Sequence, residues 1–126
     1  MLTSIEVCAG AGGQALGLEK AGFGHTALVE IDKHCCATLR HNRPASNVLE
    51  EDMRVFKERS ADFKGIDLFA GGLPCPPFSV AGKQLGEKDE RNLFNDAIDI
   101  IAVAQPRAVM IENVRGFLGA VFHDYR

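Results

Sequence analysis

The sequence contains no apolar run approaching the roughly 18 residues that a membrane-spanning helix needs. Its start, Met1 to Cys8, has no basic segment followed by a hydrophobic stretch, so neither a spanning segment nor a cleaved export signal is expected. A cytoplasmic location is. Basic residues are short as well: 14 Lys and Arg stand against 17 Asp and Glu, a formal net charge of -3. Proteins that hold DNA through phosphate contacts usually present a basic face, and this composition speaks against autonomous DNA binding. The four cysteines, Cys8, Cys35, Cys36 and Cys75, form no C-x-x-C pair and no Cys/His cluster with zinc spacing. No metal site and no disulfide framework is therefore expected.

What the 126 residues do contain is alternation, at a hydrophobic content of 46% that suits one small domain with a single core. Short apolar runs at 4–8, 26–31, 66–72 and 107–113 read as strands, with a further short strand near Asn47 to Leu49. Helical patterns at 14–22, 33–42 and 93–105 separate them, the last placing Leu93, Ala97, Ile101 and Ala104 at helical spacing and stopping before Pro106, which cannot continue a helix. Strand and helix in alternation predict an α/β fold with a doubly wound, mostly parallel sheet. The stretch from Leu73 to Asn92 is long and rich in Pro, Gly and charge, as functional loops often are.

The turn Gly10-Ala11-Gly12-Gly13 follows the first strand and opens a helix, with Ala15 completing a G-x-G-x-x-A pattern. Glycines there permit a tight turn and close approach of the backbone to a nucleotide-like ligand, although such turns also serve packing alone. Glu30 ends the second strand, where a carboxylate can accept from ribose hydroxyls, and Asp52 follows the third, within reach of an adenine amino group. Either carboxylate taken singly reads more readily as a solvated loop residue than as a ligand. Their convergence on one crevice favours a ligand, because open α/β sheets bind outside the carboxyl ends of their strands.

The sharpest local signal is Gly71-Gly72-Leu73-Pro74-Cys75-Pro76-Pro77-Phe78-Ser79. Prolines on both sides of Cys75 restrict the backbone to extended forms and present the thiol from a stiff loop. A thiolate is accessible near neutral pH and suits addition to an electron-poor ring carbon. Glu112, in Glu112-Asn113-Val114, follows the fifth strand on the same sheet edge and could supply an acid function, or simply charge a helix start.

Taken in order, EVCAGAGG, VEID, EEDM, PCPPFS, GKQLGEKDERNLF and ENV resemble the early conserved blocks of the DNA cytosine-5 methyltransferases over nearly the whole chain. The resemblance implies a Rossmann-like methyltransferase fold, incomplete at its C-terminal end, and an S-adenosylmethionine pocket. That pocket would be formed by Gly10, Ala11, Gly12 and Gly13 with Glu30 on the ribose, Asp52 on the adenine, and Gly72, Met53 and Leu93 enclosing the ligand. It further implies that Cys75 adds to C6 of an extruded cytosine while Glu112 holds and protonates N3, and that Ser79, Arg91 and Asn113 lie near DNA or the target base. Cys8 and Ile31 stand where the family often has aromatic residues that pack on the cofactor, and offer less stacking area.

Nothing in the sequence resembles the family's later blocks, including the target recognition region. Residues 1–126 are accordingly expected to be the N-terminal part of a catalytic domain, either a fragment or one half of a split enzyme, of restriction-modification type and acting at a prokaryotic nucleoid. Duplex DNA would then be engaged only together with the remaining portion, in the same chain or on a second polypeptide. A cofactor- or partner-binding module without catalysis and an NAD-dependent dehydrogenase are the competing readings; the latter leaves Cys75 and its prolines unexplained.

Overall fold

The computed structural model describes residues 1–74 and 93–114. Strand β1 (Leu2–Val7) leads through helix α1 (Gly13–Lys20) to β2 (Phe23–Glu30), and α2 (Lys33–Asn42) leads to β3 (Val48–Glu50). A short helix α3 (Met53–Phe56) runs into a 3-10 segment (Lys57–Phe63) before β4 (Leu68–Gly72); then come α4 (Phe94–Ala104) and β5 (Ala108–Glu112). The strands form a five-stranded sheet in the order β3-β2-β1-β4-β5, with every pairing parallel. The chain winds outward from β1 to β3 and then restarts on the other side of β1, so the strand order reverses between β1 and β4.

Side chains of successive strand residues point to opposite faces, and both faces are covered. Ile5, Val7, Ala27, Val29 and Phe69 pack with Met53, Phe56, Ala97 and Ile100 under α3 and α4. On the opposite face Leu28 and Ala9 meet Ala15 and Leu39 of α1 and α2, while Leu68 and Ala70 meet Leu18. Each fully buried Val, Leu, Ile, Phe or Met side chain stabilises the fold by about 1.5 to 3 kcal/mol, which is why near-continuous apolar strands belong to a sheet clothed on two sides. β5 lies at an edge of the sheet, with Val109 and Met110 exposed. No helix among the described residues is long and apolar enough to cross a membrane.

The boundaries differ from the sequence reading where pairing overrides local preference. β2 begins at Phe23 rather than at residue 26, because Leu2, Thr3 and Ser4 pair with Phe23, Gly24 and His25. α1 stops at Lys20, and Gly22 follows in the left-handed region at φ 95, as helix C-termini commonly do. In α4 the buried face is Ala97, Ile100 and Ala104, with Leu93 and Ile101 only at its margin. The helical stretch 53–63 was not expected at all. It starts at Asp52, whose side chain accepts from the Arg54 N–H, and is tied to α4 by Lys57 Nζ donating to Asp96 Oδ1 at 2.9 Å.

Candidate functional site

Where strand order reverses in a parallel sheet, the connections on either side part and leave a crevice at the carboxyl ends of the strands. At that edge lies a cavity of about 240 Å³. Cys8 reaches it from the end of β1, Glu30 and Ile31 from β2, Glu51 and Asp52 from β3, and Pro74 from beyond β4. Met53, Val29 and Leu93 supply an apolar wall. Of the residues expected to hold a cofactor, Cys8, Glu30, Ile31, Asp52, Met53 and Leu93 are thus brought together.

Glu30 is held rigidly. Its Oε1 accepts the Gly10 N–H at 2.8 Å and its Oε2 accepts the Asp32 N–H at 2.9 Å. A carboxylate has about four lone-pair positions, so each oxygen keeps capacity for a further donor such as a hydroxyl. Asp52 Oδ1 accepts the Arg54 N–H at 2.8 Å and Nε at 3.2 Å, and its other oxygen takes no hydrogen bond among the described residues. Asp52 is therefore both a helix cap and an acceptor facing the cavity. Glu51 also lines the cavity, but it is paired with Arg59. Val29 and Arg54 were not singled out in the sequence, and Pro74 was marked there only as a neighbour of Cys75.

Cys8 has φ 53, a left-handed conformation that costs a non-glycine residue about 1 kcal/mol or more. Burial, reinforced by the carboxylates of Glu30, Asp52 and Glu6, pushes its thiol up to about 12. It stays protonated at neutral pH and contributes an apolar surface, not a nucleophile. Burial likewise raises Cys35 and Cys36 above the ordinary thiol range. Ile31 sits at the rim, 63% exposed, which leaves one side of the cavity open.

The glycine turn does not line the cavity itself. Among the described residues Gly10 meets the site through its N–H on Glu30, and a side chain built at Gly10 or Gly13 would meet nothing within 4 Å. Gly10 and Gly12 are required by positive φ, 60 and 107 respectively. The crowded position is Gly12, where an added Cβ would lie 2.6 Å from Nη1 of Arg43 and 3.1 Å from Leu39. The close approach that glycine permits there is to a side chain of α2.

Gly72 pairs with Glu112 across β4 and β5, and a Cβ on Gly72 would come within 3.2 Å of Glu112 Oε2. The exposed Glu112 carboxylate thus lies over the end of β4, on the strand edge that leads toward Cys75. Asn113 Oδ1 accepts the Val114 N–H at 2.7 Å, and its Nδ2 is buried with no hydrogen-bond partner among the described residues. Cys75, Ser79 and Arg91 lie outside the described residues.

A family model for C-5 cytosine-specific DNA methylases matches residues 2–124. The type II methyltransferase M.NgoMIV of Neisseria gonorrhoeae is 60% identical over 124 residues, covering 98% of this chain and 39% of that protein. The type II methyltransferase M.NaeI of Lentzea aerocolonigenes is 51% identical over 126 residues, covering 99% of this chain and 30% of that protein. The chain therefore spans well under half the length of these curated relatives. Among solved structures, an Escherichia coli prophage protein assigned as a DNA modification methyltransferase superposes with a TM-score of 0.78 at 30% identity, covering 98% of this chain and 35% of that one. A SAM-dependent methyltransferase from Agrobacterium tumefaciens shares the fold at a TM-score of 0.59 and 17% identity, covering 90% of this chain and 39% of its own.

Proposed function

Because the chain belongs to the C-5 cytosine-specific DNA methylase family, we propose that it carries the methyl-donor pocket and the reacting residues of an enzyme that methylates C5 of cytosine in DNA. The observation that carries this reading is the convergence of Glu30 and Asp52 on one cavity with an apolar wall. A nucleoside has that distribution of groups: a diol at one end, an exocyclic amine at the other, and flat apolar faces between. Glu30 would accept from the two ribose hydroxyls with an orientation already fixed by Gly10 and Asp32. The free oxygen of Asp52 would accept from the adenine amino group, with Met53, Leu93 and Ile31 against the base. Gly72, beside Glu112, would leave room for the rest of the donor. S-adenosylmethionine, bound there, supplies the methyl group.

The base chemistry falls to Cys75 and Glu112. The Cys75 thiolate would add to C6 of a cytosine turned out of the helix, as Glu112 donates a proton to N3 and so prevents negative charge from building on the ring. That addition places electron density on C5, which would take the methyl group as its bond to the donor sulfur breaks and leaves a neutral thioether. Loss of the C5 proton to a base, return of the N3 proton to Glu112 and departure of Cys75 as thiolate would restore the ring. Burial pushes the thiols of Cys8, Cys35 and Cys36 up, and none of the three stands in the proline-framed motif that carries Cys75. Ser79, Arg91 and Asn113 are assigned to the target nucleotide or its backbone.

At a net charge of -3 this region is a poor phosphate binder, and turning out a base costs a few kcal/mol of stacking and pairing. We therefore assign the DNA grip to a further portion, continuous with this region or on a second polypeptide. Its addition should raise methyl transfer well above that of residues 1–126 alone. The decisive experiment is covalent trapping on DNA containing 5-fluorocytosine, whose C5 substituent cannot leave as a proton, with the completed enzyme. A stable adduct is expected with Cys75 and none with Cys75→Ser; an adduct that survives the substitution overturns the assignment. Equilibrium binding of S-adenosylmethionine in preference to NAD tests the pocket separately.

A further inference from the structure

Arg43 has no place in the chemistry just proposed, yet it is the most elaborately held cation among the described residues. α2 ends at Asn42 because Arg43 precedes Pro44, and a residue before proline is kept out of the helical well; its φ and ψ are -135 and 66. Its guanidinium, with a side chain only 12% exposed, is clasped by Glu19 of α1. Nε donates to Glu19 Oε2 at 2.7 Å and Nη2 to Glu19 Oε1 at 3.2 Å, a two-point pairing that fixes the plane of the group. From that fixed plane Nη2 also donates to the Gly12 carbonyl at 3.2 Å. The same carbonyl accepts the Leu16 N–H at 2.9 Å, the first hydrogen bond of α1. Nη1 fills the space that a side chain on Gly12 would need.

We infer that Arg43 is a positioning residue for the ligand pocket: braced by Glu19, it props the Gly10–Gly13 turn from behind and thereby sets the Gly10 N–H that orients Glu30. Hydrogen bonds run from Arg43 to Glu19 and to the Gly12 carbonyl, the backbone of the turn joins Gly12 to Gly10, and the Gly10 N–H reaches Glu30 Oε1 at 2.8 Å. A cation beside the first turn of a helix is opposed by the helix dipole, so this placement requires the compensating charge of Glu19. The inference rests on Glu30 serving as a ligand-binding carboxylate.

The test uses the 126-residue chain with two readouts, amide hydrogen exchange and calorimetric binding of S-adenosylhomocysteine. Arg43→Met keeps an unbranched apolar stem and removes every donor. Exchange at the Gly10 and Leu16 amides should quicken about tenfold or more, and the ligand should bind about tenfold more weakly, in keeping with loss of a charge-assisted hydrogen bond. Amides of the β1–β2 ladder should exchange as before. Arg43→Lys cannot span both Glu19 oxygens and the Gly12 carbonyl and should fall between. If Arg43→Met does not fold, Glu19→Gln should show the same local pattern more weakly. Unchanged exchange at Gly10 and Leu16, or equal acceleration across the whole sheet, overturns the strut. Faster local exchange with unchanged affinity overturns its role in positioning the pocket. Failure of the unaltered chain to bind S-adenosylhomocysteine would instead strike the cofactor reading, while the exchange comparison still decides whether Arg43 holds the turn.

Discussion

Replacing Glu6 by Gln should stabilise the chain at pH 8 relative to the unaltered protein, and the advantage should shrink steadily as the solution is acidified. Glu6 is 1% exposed in the middle of β1 and is flanked in register by Leu28 and Ala70. Its Oε1 has no hydrogen-bond partner among the described residues. Burial raises its carboxyl from 4.5 to about 7, against the pull of Arg43 and with a smaller push from Glu19. A carboxyl raised in the folded state costs nothing below 4.5, where both states are protonated. Between 4.5 and 7 the unfolded chain releases its proton and the folded chain keeps it, so stability falls as pH rises. Above 7 both states are ionised and the loss is complete.

At about 1.4 kcal/mol for each pH unit, the full loss is about 3 kcal/mol, a large share of the 5 to 15 kcal/mol that typically holds a domain together. Glutamine has the same shape and no charge, so any penalty for burying its amide is a constant offset. The shape of the difference curve is therefore diagnostic. Urea denaturation of both proteins from pH 4 to pH 8 at fixed ionic strength would give that curve. The carboxyls of Glu19, Asp32 and Asp67 are all held below their ordinary range by hydrogen bonds, to Arg43, to Cys35 and His34, and to Thr3 and Arg107. They weaken the fold in acid rather than toward neutrality, and, being common to both proteins, largely cancel. A flat difference curve, or one that grows toward low pH, would refute the reasoning.

Further expectations concern the cavity and its caps. Glu30→Ala should weaken S-adenosylmethionine binding by about 1 to 3 kcal/mol, the range for hydrogen bonds to a charged group; unchanged calorimetric affinity would contradict the ribose role. Asp32→Ala removes a cap that accepts from His34 and Cys35 and should cost about 1 kcal/mol of stability with little effect on affinity. Asp52→Ala should cost a similar amount and also weaken binding, and equal binding losses at the two sites would argue against an adenine contact at Asp52. Brief iodoacetamide treatment at pH 7 should label Cys75 before Cys8, Cys35 or Cys36, as peptide mass spectrometry would show; faster labelling of Cys8 would mean that its carboxylate neighbours do not hold it as a thiol.

The parts of this molecule that were legible in its sequence are those where one cause dominates. Runs such as SIEVC and IDLFAGG read as buried strands because helices cover both faces of the sheet, and Pro106 marked the end of α4 through covalent geometry alone. The acidic strand ends, Glu30 and Asp52, could be placed on one crevice because parallel winding dictates which edge the loops occupy. Residues with two causes were read for only one. The sequence marks Asp52 as a ligand candidate, and Asp52 is also the cap that starts the stretch 53–63, a helical segment with no periodic signal of its own. Arg43 gave no signal, because its partners Glu19 and Gly12 are distant in sequence and meet only once α1 and α2 share a face. The glycine turn is the most instructive case. Its positive φ values satisfy the fingerprint, but its one crowded glycine accommodates an arginine of the same chain. A G-x-G-x-x-A pattern therefore specifies a backbone path. In this chain that path aims the Gly10 N–H at the carboxylate of Glu30.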